Sequence, residues 1–258
     1  MIESTQNEHI KRLQRLINKN SERKKNKIFV VEGIQENERA LRFGFQPQEF
    51  FICEAYFQGE IPTGILHYVH PKVYAKIAYR GTTEGIIGIY HEKENPLSRF
   101  KIEKENVSVV LLESPEKPGN LGAVLRSCEA FGIDAIIITE TKTDFYNPNV
   151  IRSSVGCLFG MNFFQTSNQE AYDFFIKNDF QILTTFMEKN FESLPNLNLK
   201  KKNGFCFGTE HSGLSDFWKN KGKNFLIPMA GTIDSINLSN AVAITCYENL
   251  RQNQEKNK

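Results

Sequence analysis

FLIPMAGTIDSINLSNAVAITCYENLRQ, residues 225–252, is the stretch on which the fold turns. Its apolar start (Phe225, Leu226, Ile227) stops at Pro228, which has no N–H to give a central ladder. A loop of small and polar residues follows, with Gly231, Asp234, Ser235 and Asn237, and a helical pattern begins near Ser239. A buried strand, a polar loop and a helix in that order suit a ligand site better than a plain connection. Two further stretches have the same character, GNLGAVLRSCEAFG at 119–132 and GFCFGTEHSGLS at 204–215.

Working back from there, the second half of the chain alternates strands and helices. VSVVLLES (107–114) is a nearly continuous apolar run of the kind a central strand carries. A helix from Leu121 to Phe131 stops at Gly132, and DAIIITE (134–140) is a second buried strand. Asn147 and Pro148 read as the N-cap and first residue of another helix. FFQTS, a helix over 168–178, FQILTTF at 180–186, GFCFGTE, a short helix around Leu214 to Asn220, FLIPM and the last helix complete the series. The pattern predicts an α/β fold with a mostly parallel sheet covered on both faces.

The first third reads as a separate, smaller α/β module. Ile10, Leu13, Leu16 and Ile17 lie at helical spacing, and KIFVVEG (27–33) reads as a strand. IQENERALRFG then reads as a helix, EFFICEAYF and GILHYVHP as strands, and GIIGIYHEK (85–93) as the closing strand; VYAKIAY (73–79) fits helix or strand. The charged segment HEKENPLSRFKIEKEN (91–106) is the linker candidate, which divides the chain into 1–97, a linker over 98–106 and 107–258.

At 258 residues, 40% hydrophobic and 24% charged, the composition is that of an ordinary globular protein. No apolar run nears the roughly 18 residues of a membrane span, and the N-terminus lacks the apolar core of a signal peptide, so a cytoplasmic location is expected. Five scattered cysteines without a CxxC pair argue against a disulfide framework or a cysteine metal site. His67, His70 and His91 have no carboxylate spacing with them and read as structural or RNA-facing, so no metal is expected. The net charge of +2 is uneven: residues 1–27 carry eight Lys or Arg against three Glu. Such an arm, with Lys24, Lys25 and Lys27 at its end, suits either a phosphate backbone or plain solvent.

A GxxxxGK[ST] phosphate loop, a GxGxxG after the strand at 107–114, a GxSxG elbow and an HExxH are all missing. The remaining polar candidates, Asn120 with Arg126, then Glu210, then Ser235 with Asn237, follow the ends of strands, where open parallel sheets bind ligands.

Three stretches resemble the signature motifs of the SpoU/TrmH family of RNA ribose 2′-O-methyltransferases, part of the SPOUT superfamily. They are Asn120-Leu-Gly-Ala-Val-Leu-Arg126-Ser, then Gly208-Thr-Glu210-His-Ser-Gly213-Leu, then Ile227-Pro-Met229-Ala-Gly231 with Ser235-Ile-Asn237-Leu-Ser-Asn-Ala. The resemblance spans 107–253 and implies S-adenosylmethionine as cofactor, held in a trefoil knot by Gly208, Ile227 and Ile236 with Met229 nearby. It implies methyl transfer to a ribose 2′-hydroxyl, with Arg126 at the reacting oxygen or its phosphate and Asn120, Glu210, Ser235 and Asn237 in support. Because arginine stays protonated, Arg126 suits charge stabilisation better than proton abstraction. Arg152 resembles a second arginine placed near RNA.

Residues 1–97 resemble the family's accessory RNA-binding domain through Phe29, Glu32 and Gly33, an FxxEG pattern, which would turn Lys24, Lys25, Lys27 and Arg39 or Arg42 toward RNA. That domain favours ribosomal RNA as substrate, ahead of transfer RNA; a non-catalytic RNA-binding or ribosome-assembly factor is the alternative of another class. The family also implies a homodimer, although the apolar face of the last helix (Ala241, Ile244, Tyr247, Leu250) reads equally as core.

Overall fold

The computed structural model describes residues 1–79, 84–141, 143–186, 190–233 and 235–254. Asp234, counted above in the loop before the last helix, lies outside the described residues. Contacts divide the chain into two units, Met1–Glu94 with Asp144–Gly160, and Asn95–Thr143 with Met161–Lys258.

In the first unit, α1 (Glu8–Asn18) and α2 (Asn20–Asn26) precede β1 (Ile28–Glu32), α3 (Ile34–Arg42), β2 (Pro47–Ile52), β3 (Leu66–Tyr68), α4 (Pro71–Ile77) and β4 (Ile86–His91). The stretch that reads both ways from sequence is the helix α4, started by Pro71 at its first position and by the His70 side chain, which accepts from Lys72 N. The strands form a mixed sheet in the order β1-β4-β2-β3. Ile10, Leu13 and Leu16, three residues apart on α1, pack with Phe51, Val69 and Ile87 on one face of it.

The segment Asp144–Gly160, which sequence places in the second domain, joins this unit for identifiable reasons. The rings of Phe29 and Tyr146 stack at 4.3 Å and 12°. Arg23 Nε lies 2.6 Å from Asp144 Oδ2, and Arg39 donates to Val155 O at 3.1 Å. The helix α6 (Pro148–Ser153) within this segment begins as its sequence predicts, with Asn147 capping Asn149 N at 2.9 Å.

The second unit holds β5 (Ser108–Glu113), α5 (Pro118–Ala130), β6 (Ala135–Thr139), β7 (Phe163–Thr166), α7 (Asn168–Lys177), β8 (Gln181–Thr184), β9 (Glu192–Ser193), β10 (Asn203–Phe207), β11 (Lys223–Leu226) and α8 (Leu238–Gln254). Seven strands form one sheet in the order β7-β6-β5-β10-β8-β11-β9, and every pairing in it is parallel. All six residues of β5 are buried, as a strand covered on both faces requires. Helix α7 packs on one face, and α5 and α8 pack against each other. The two-residue strand β9 has no apolar pattern and is invisible in the sequence.

The linker candidate is only partly a free connection. Leu97, Phe100 and Ile102 pack on the core of the second unit, Phe100 lies 5.5 Å from the ring of Phe164, and Asn95 donates to Phe163 O at 2.8 Å. Among the described residues, no helix is long and apolar enough to cross a membrane.

Candidate active site

β5 and β10 are sheet neighbours, yet the chain leaves β5 toward β6 on the other side. A crevice lies beyond the carboxyl ends of β10, β8 and β11, the end at which open parallel sheets receive ligands. A cavity of about 460 Å³ occupies this place. Thr185 and Phe186 after β8, Phe207 to Leu214 from the end of β10 onward, and Phe225 to Ile227 from the end of β11 supply most of its wall, and Met229, Ser235, Ile236, Leu238 and Ala241 complete it. Of the residues that sequence assigns to the cofactor, Gly208, Ile227, Met229 and Ile236 all line it, and so do Glu210 and Ser235.

Gly208 makes the narrow part of this wall. An added Cβ would lie 1.8 Å from Gly213 C and 2.1 Å from Leu214 N, so no other residue fits without moving backbone. The close approach arises because the chain folds back immediately: Thr209 N donates to Gly213 O at 3.0 Å and Gly213 N to Thr209 O at 3.1 Å. Gly213 supplies the φ of 69° that this reversal needs. Thr209 Oγ1 also accepts from Ser212 N, at 3.0 Å.

Asn120, Glu210 and Asn237, from three distant parts of the chain, meet in one hydrogen-bonded series. Asn120 Nδ2 donates to Glu210 Oε1, and Asn237 Nδ2 donates to Asn120 Oδ1 at 3.3 Å. Asn237 is at the same time the cap of α8, its Oδ1 accepting from Ser239 N at 2.9 Å and from Ser239 Oγ at 2.7 Å. Glu210 Oε2 is buried and makes no hydrogen bond among the described residues, which leaves an acceptor at the cavity wall.

Arg126 is not brought to this group. It is exposed on α5, absent from the cavity lining, and held by no ion pair among the described residues.

Sequence reasoning misses the carboxylate that fixes the second motif. Glu113, buried at the end of β5, accepts from Asn168 Nδ2 and Ser215 Oγ at Oε1 and from Ser215 N at Oε2, the last at 2.7 Å. Asn168 in turn accepts from Trp218 Nε1 at 3.3 Å. The signal is slight, one acidic residue closing an apolar strand.

In the first unit, Lys24, Lys25 and Lys27 are exposed, Lys27 beside Glu94 at 3.0 Å. Arg23 from the same basic arm is not available to a phosphate: it is 2% exposed and donates to Leu16 O, Ile17 O and Asp144. Arg39 is likewise engaged, donating to Val155 O and reaching Cys157 Sγ at 2.9 Å, whereas Arg42 is exposed. The Arg152 guanidinium stacks 4.0 Å from the ring centre of Tyr79, with Nη1 buried and unpartnered among the described residues. Glu36 sits near this guanidinium, and burial is the main reason its carboxyl is raised above the usual range.

A family model described as the SpoU rRNA Methylase family matches residues 107–247 of the chain. A second, described as the MRM3-like substrate binding domain, matches residues 7–88. Over 251 residues the chain is 25% identical to the 23S rRNA (guanosine(2553)-2′-O)-methyltransferase RlmP of Bacillus subtilis, a match covering 95% of this chain and 97% of that one. The crystal structure of an RNA 2′-O ribose methyltransferase superposes with a TM-score of 0.85 at 31% identity, covering 98% of this chain and 99% of the other. The fold is also that of the SpoU methyltransferase AviRb from Streptomyces viridochromogenes in complex with AdoMet, with a TM-score of 0.86 at 21% identity and coverage of 96% and 99%.

Proposed function

As the chain belongs to the SpoU rRNA methylase family, we propose that it is an S-adenosylmethionine-dependent enzyme that methylates a ribose 2′-hydroxyl of ribosomal RNA. The observation that carries the proposal is the cavity at the ends of β10, β8 and β11, with Glu210 in its wall and Asn120 and Asn237 joined to Glu210 by hydrogen bonds. Its size lies within the range of small-molecule sites, roughly 300–1,000 Å³. Apolar walls from Ile227 and Ile236 suit an adenine ring, and the bare backbone at Gly208 lets main-chain groups reach its polar edge. When bound, the cofactor supplies a methyl group on a sulfonium, which needs no metal and no covalent enzyme intermediate.

The chain's own residues then have two tasks. Asn120 and Asn237 hold Glu210 in place at the cavity wall, each tied into the other and one of them into a helix end. Glu210, with Oε2 unpartnered among the described residues, orients a donor on the substrate or cofactor. Arg126 stabilises the alkoxide that develops as the hydroxyl loses its proton, and grips the neighbouring phosphate.

Arg126 is exposed, lines no part of the cavity and takes no part in the Asn237–Asn120–Glu210 bonds, so in this reading it serves the site of a second copy and the enzyme works as a homodimer. In support, Ile244 and Tyr247 of α8 are 42% and 56% exposed, and Tyr247 lies 5.8 Å from Phe131 at the end of α5. The trefoil knot belongs to the same proposal. In support of it, α8 follows β11 yet packs on α5, and it meets Leu199 in the segment before β10 through Gln252 and Asn253.

The substrate-binding match over residues 7–88 favours ribosomal over transfer RNA, with Lys24, Lys25, Lys27 and Arg152 as the RNA-facing cations. The presence of all five polar motif residues favours an enzyme over a binding factor. The test is to map ribose methylation across ribosomal and transfer RNA with and without the gene, and to restore the missing mark with purified protein. Loss and restoration of one ribosomal 2′-O-methyl group is expected. No change in either RNA class, and no transfer in vitro, would sink the proposal.

A further inference from the structure

His67 has no carboxylate near it in sequence, but the first unit's sheet supplies one. β2 and β3 are parallel neighbours with Phe51 opposite His67, and Glu49, two residues before Phe51, projects from the same face. His67 Nε2 accordingly lies 2.7 Å from Glu49 Oε2. From above, the first turn of α1 adds His9, whose Nδ1 is 3.8 Å from the same oxygen and whose ring lies 4.3 Å from that of His67. The three ligand atoms all fall within 4.8 Å of one another.

The surroundings resemble a built site more than a chance meeting. Glu49 is 6% exposed, and its other oxygen, Oε1, is taken by Arg12, which also donates to Gln48 at 3.0 Å. A guanidinium on the outer oxygen orients the carboxylate and leaves Oε2 to the two imidazoles, as an outer-shell partner of a metal ligand does. The backbone of His9 is fixed by the Asn7 side chain, which accepts from His9 N at 2.9 Å. A hydrogen-bonded Glu49–His67 pair alone explains only half of the cluster, because His9 Nδ1 at 3.8 Å is beyond hydrogen-bond reach.

We propose that His9, Glu49 and His67 form a binding site for a zinc-class divalent cation. Nitrogen and oxygen ligands hold Zn²⁺ at about 2.0–2.1 Å, which puts tetrahedral ligand atoms about 3.3 Å apart. The observed 2.7 and 3.8 Å straddle that spacing, so a small rotation of the exposed His9 ring closes the site. The fourth position faces solvent on the side of His9. Occupancy staples α1 to β2 and β3, and α1 carries Lys11, Arg12 and Arg15 of the basic arm. The metal thus sets the pose of the helix that opens the RNA-facing unit. The site lies wholly within the first unit and is independent of methyl transfer.

Zn²⁺ titrated calorimetrically into the untagged full-length chain, stripped beforehand with a chelator, tests it. One saturable ion per chain is expected, weakened at least about tenfold in His9→Ala and in His67→Ala and unchanged in His70→Ala and His91→Ala. Co²⁺ in place of Zn²⁺ should give visible ligand-field bands that disappear in His9→Ala, a surface change that spares the fold. Absence of saturable binding to the native chain would overturn the proposal, as would equal affinity in the native, His9→Ala and His67→Ala proteins.

Discussion

Replacing Gly208 by alanine adds one methyl group where there is no room for it. The new carbon would meet Gly213 C at 1.8 Å, Gly213 O at 2.0 Å and Leu214 N at 2.1 Å, all of them backbone atoms. Restoring ordinary contact of about 3.4 Å demands a displacement of roughly 1.3–1.6 Å, which no rotamer change can provide. The opposing backbone is held by the paired Thr209–Gly213 hydrogen bonds and by Ser215 on the buried Glu113. Moving it loses two of these, at about 1 kcal/mol each, on top of an overpacking penalty of about 1–3 kcal/mol. A total of about 3–5 kcal/mol is expected, and it falls on the wall of the proposed cofactor cavity. Affinity for S-adenosylhomocysteine, measured by calorimetry on the full chain, should drop at least about a hundredfold. Gly231→Ala is the matched control from the neighbouring motif, since nothing lies within 4 Å of its added carbon, and it should bind normally. Gly208→Ala binding within about threefold of the parent would refute the reasoning that the Gly208–Gly213 approach shapes the cofactor site.

Other outcomes follow from the same geometry. Arg126→Ala should abolish methyl transfer and leave cofactor affinity and thermal stability intact, because Arg126 is exposed and unpaired among the described residues; loss of cofactor binding would contradict its place on the RNA side. Glu113→Gln places an amide N–H₂ against donors whichever way it is turned, so it should destabilise the second unit by about 1–3 kcal/mol in denaturant unfolding and weaken cofactor binding alongside. Arg23→Ala strands Asp144 and should remove about 3–5 kcal/mol from the first unit. The double change Lys24→Ala and Lys25→Ala should instead leave stability untouched and lower the salt slope of RNA binding by roughly one for each phosphate left unneutralised. The raised Glu36 carboxyl favours the folded state fully only below its ordinary value of 4.5 and loses that contribution as pH climbs through the raised one. Glu36→Gln should therefore melt higher than the parent at pH 7.5, with a smaller gap at pH 4.

The parallel sheet was legible because its strands are apolar runs, buried on both faces, and the glycines and prolines between them mark the ends. The cavity wall was legible through the resemblance to the family's motifs, which singled out Gly208, Ile227 and Ile236; each sits one step past a strand or in the loop that follows. What stayed hidden depends on contacts between distant positions. Arg23 looks like its neighbours Lys24 and Lys25, and only the arrival of Asp144, 121 residues later, turns it inward. Glu113 reads as a strand end until Asn168 and Ser215 close on it. His67 gains its carboxylate through strand pairing, which carries no local signature. Helix α2, seven residues with one buried side chain, has too little periodicity to announce itself.

The bond between Asn237 and Asn120 spans 117 residues, and Asn237 also starts the final helix. A ribosome making this chain will have finished the basic arm and the whole first unit long before Asn237 leaves the exit tunnel. On the roles proposed for the first unit and for Asn237, the nascent protein in that interval can hold RNA but cannot modify it. The hydrogen-bonded series closes in a single late step, when the last helix nucleates on the same side chain that completes it. A prematurely terminated product therefore acts as a silent competitor for its own substrate, and cells that express one should show undermethylated target RNA in proportion to its abundance.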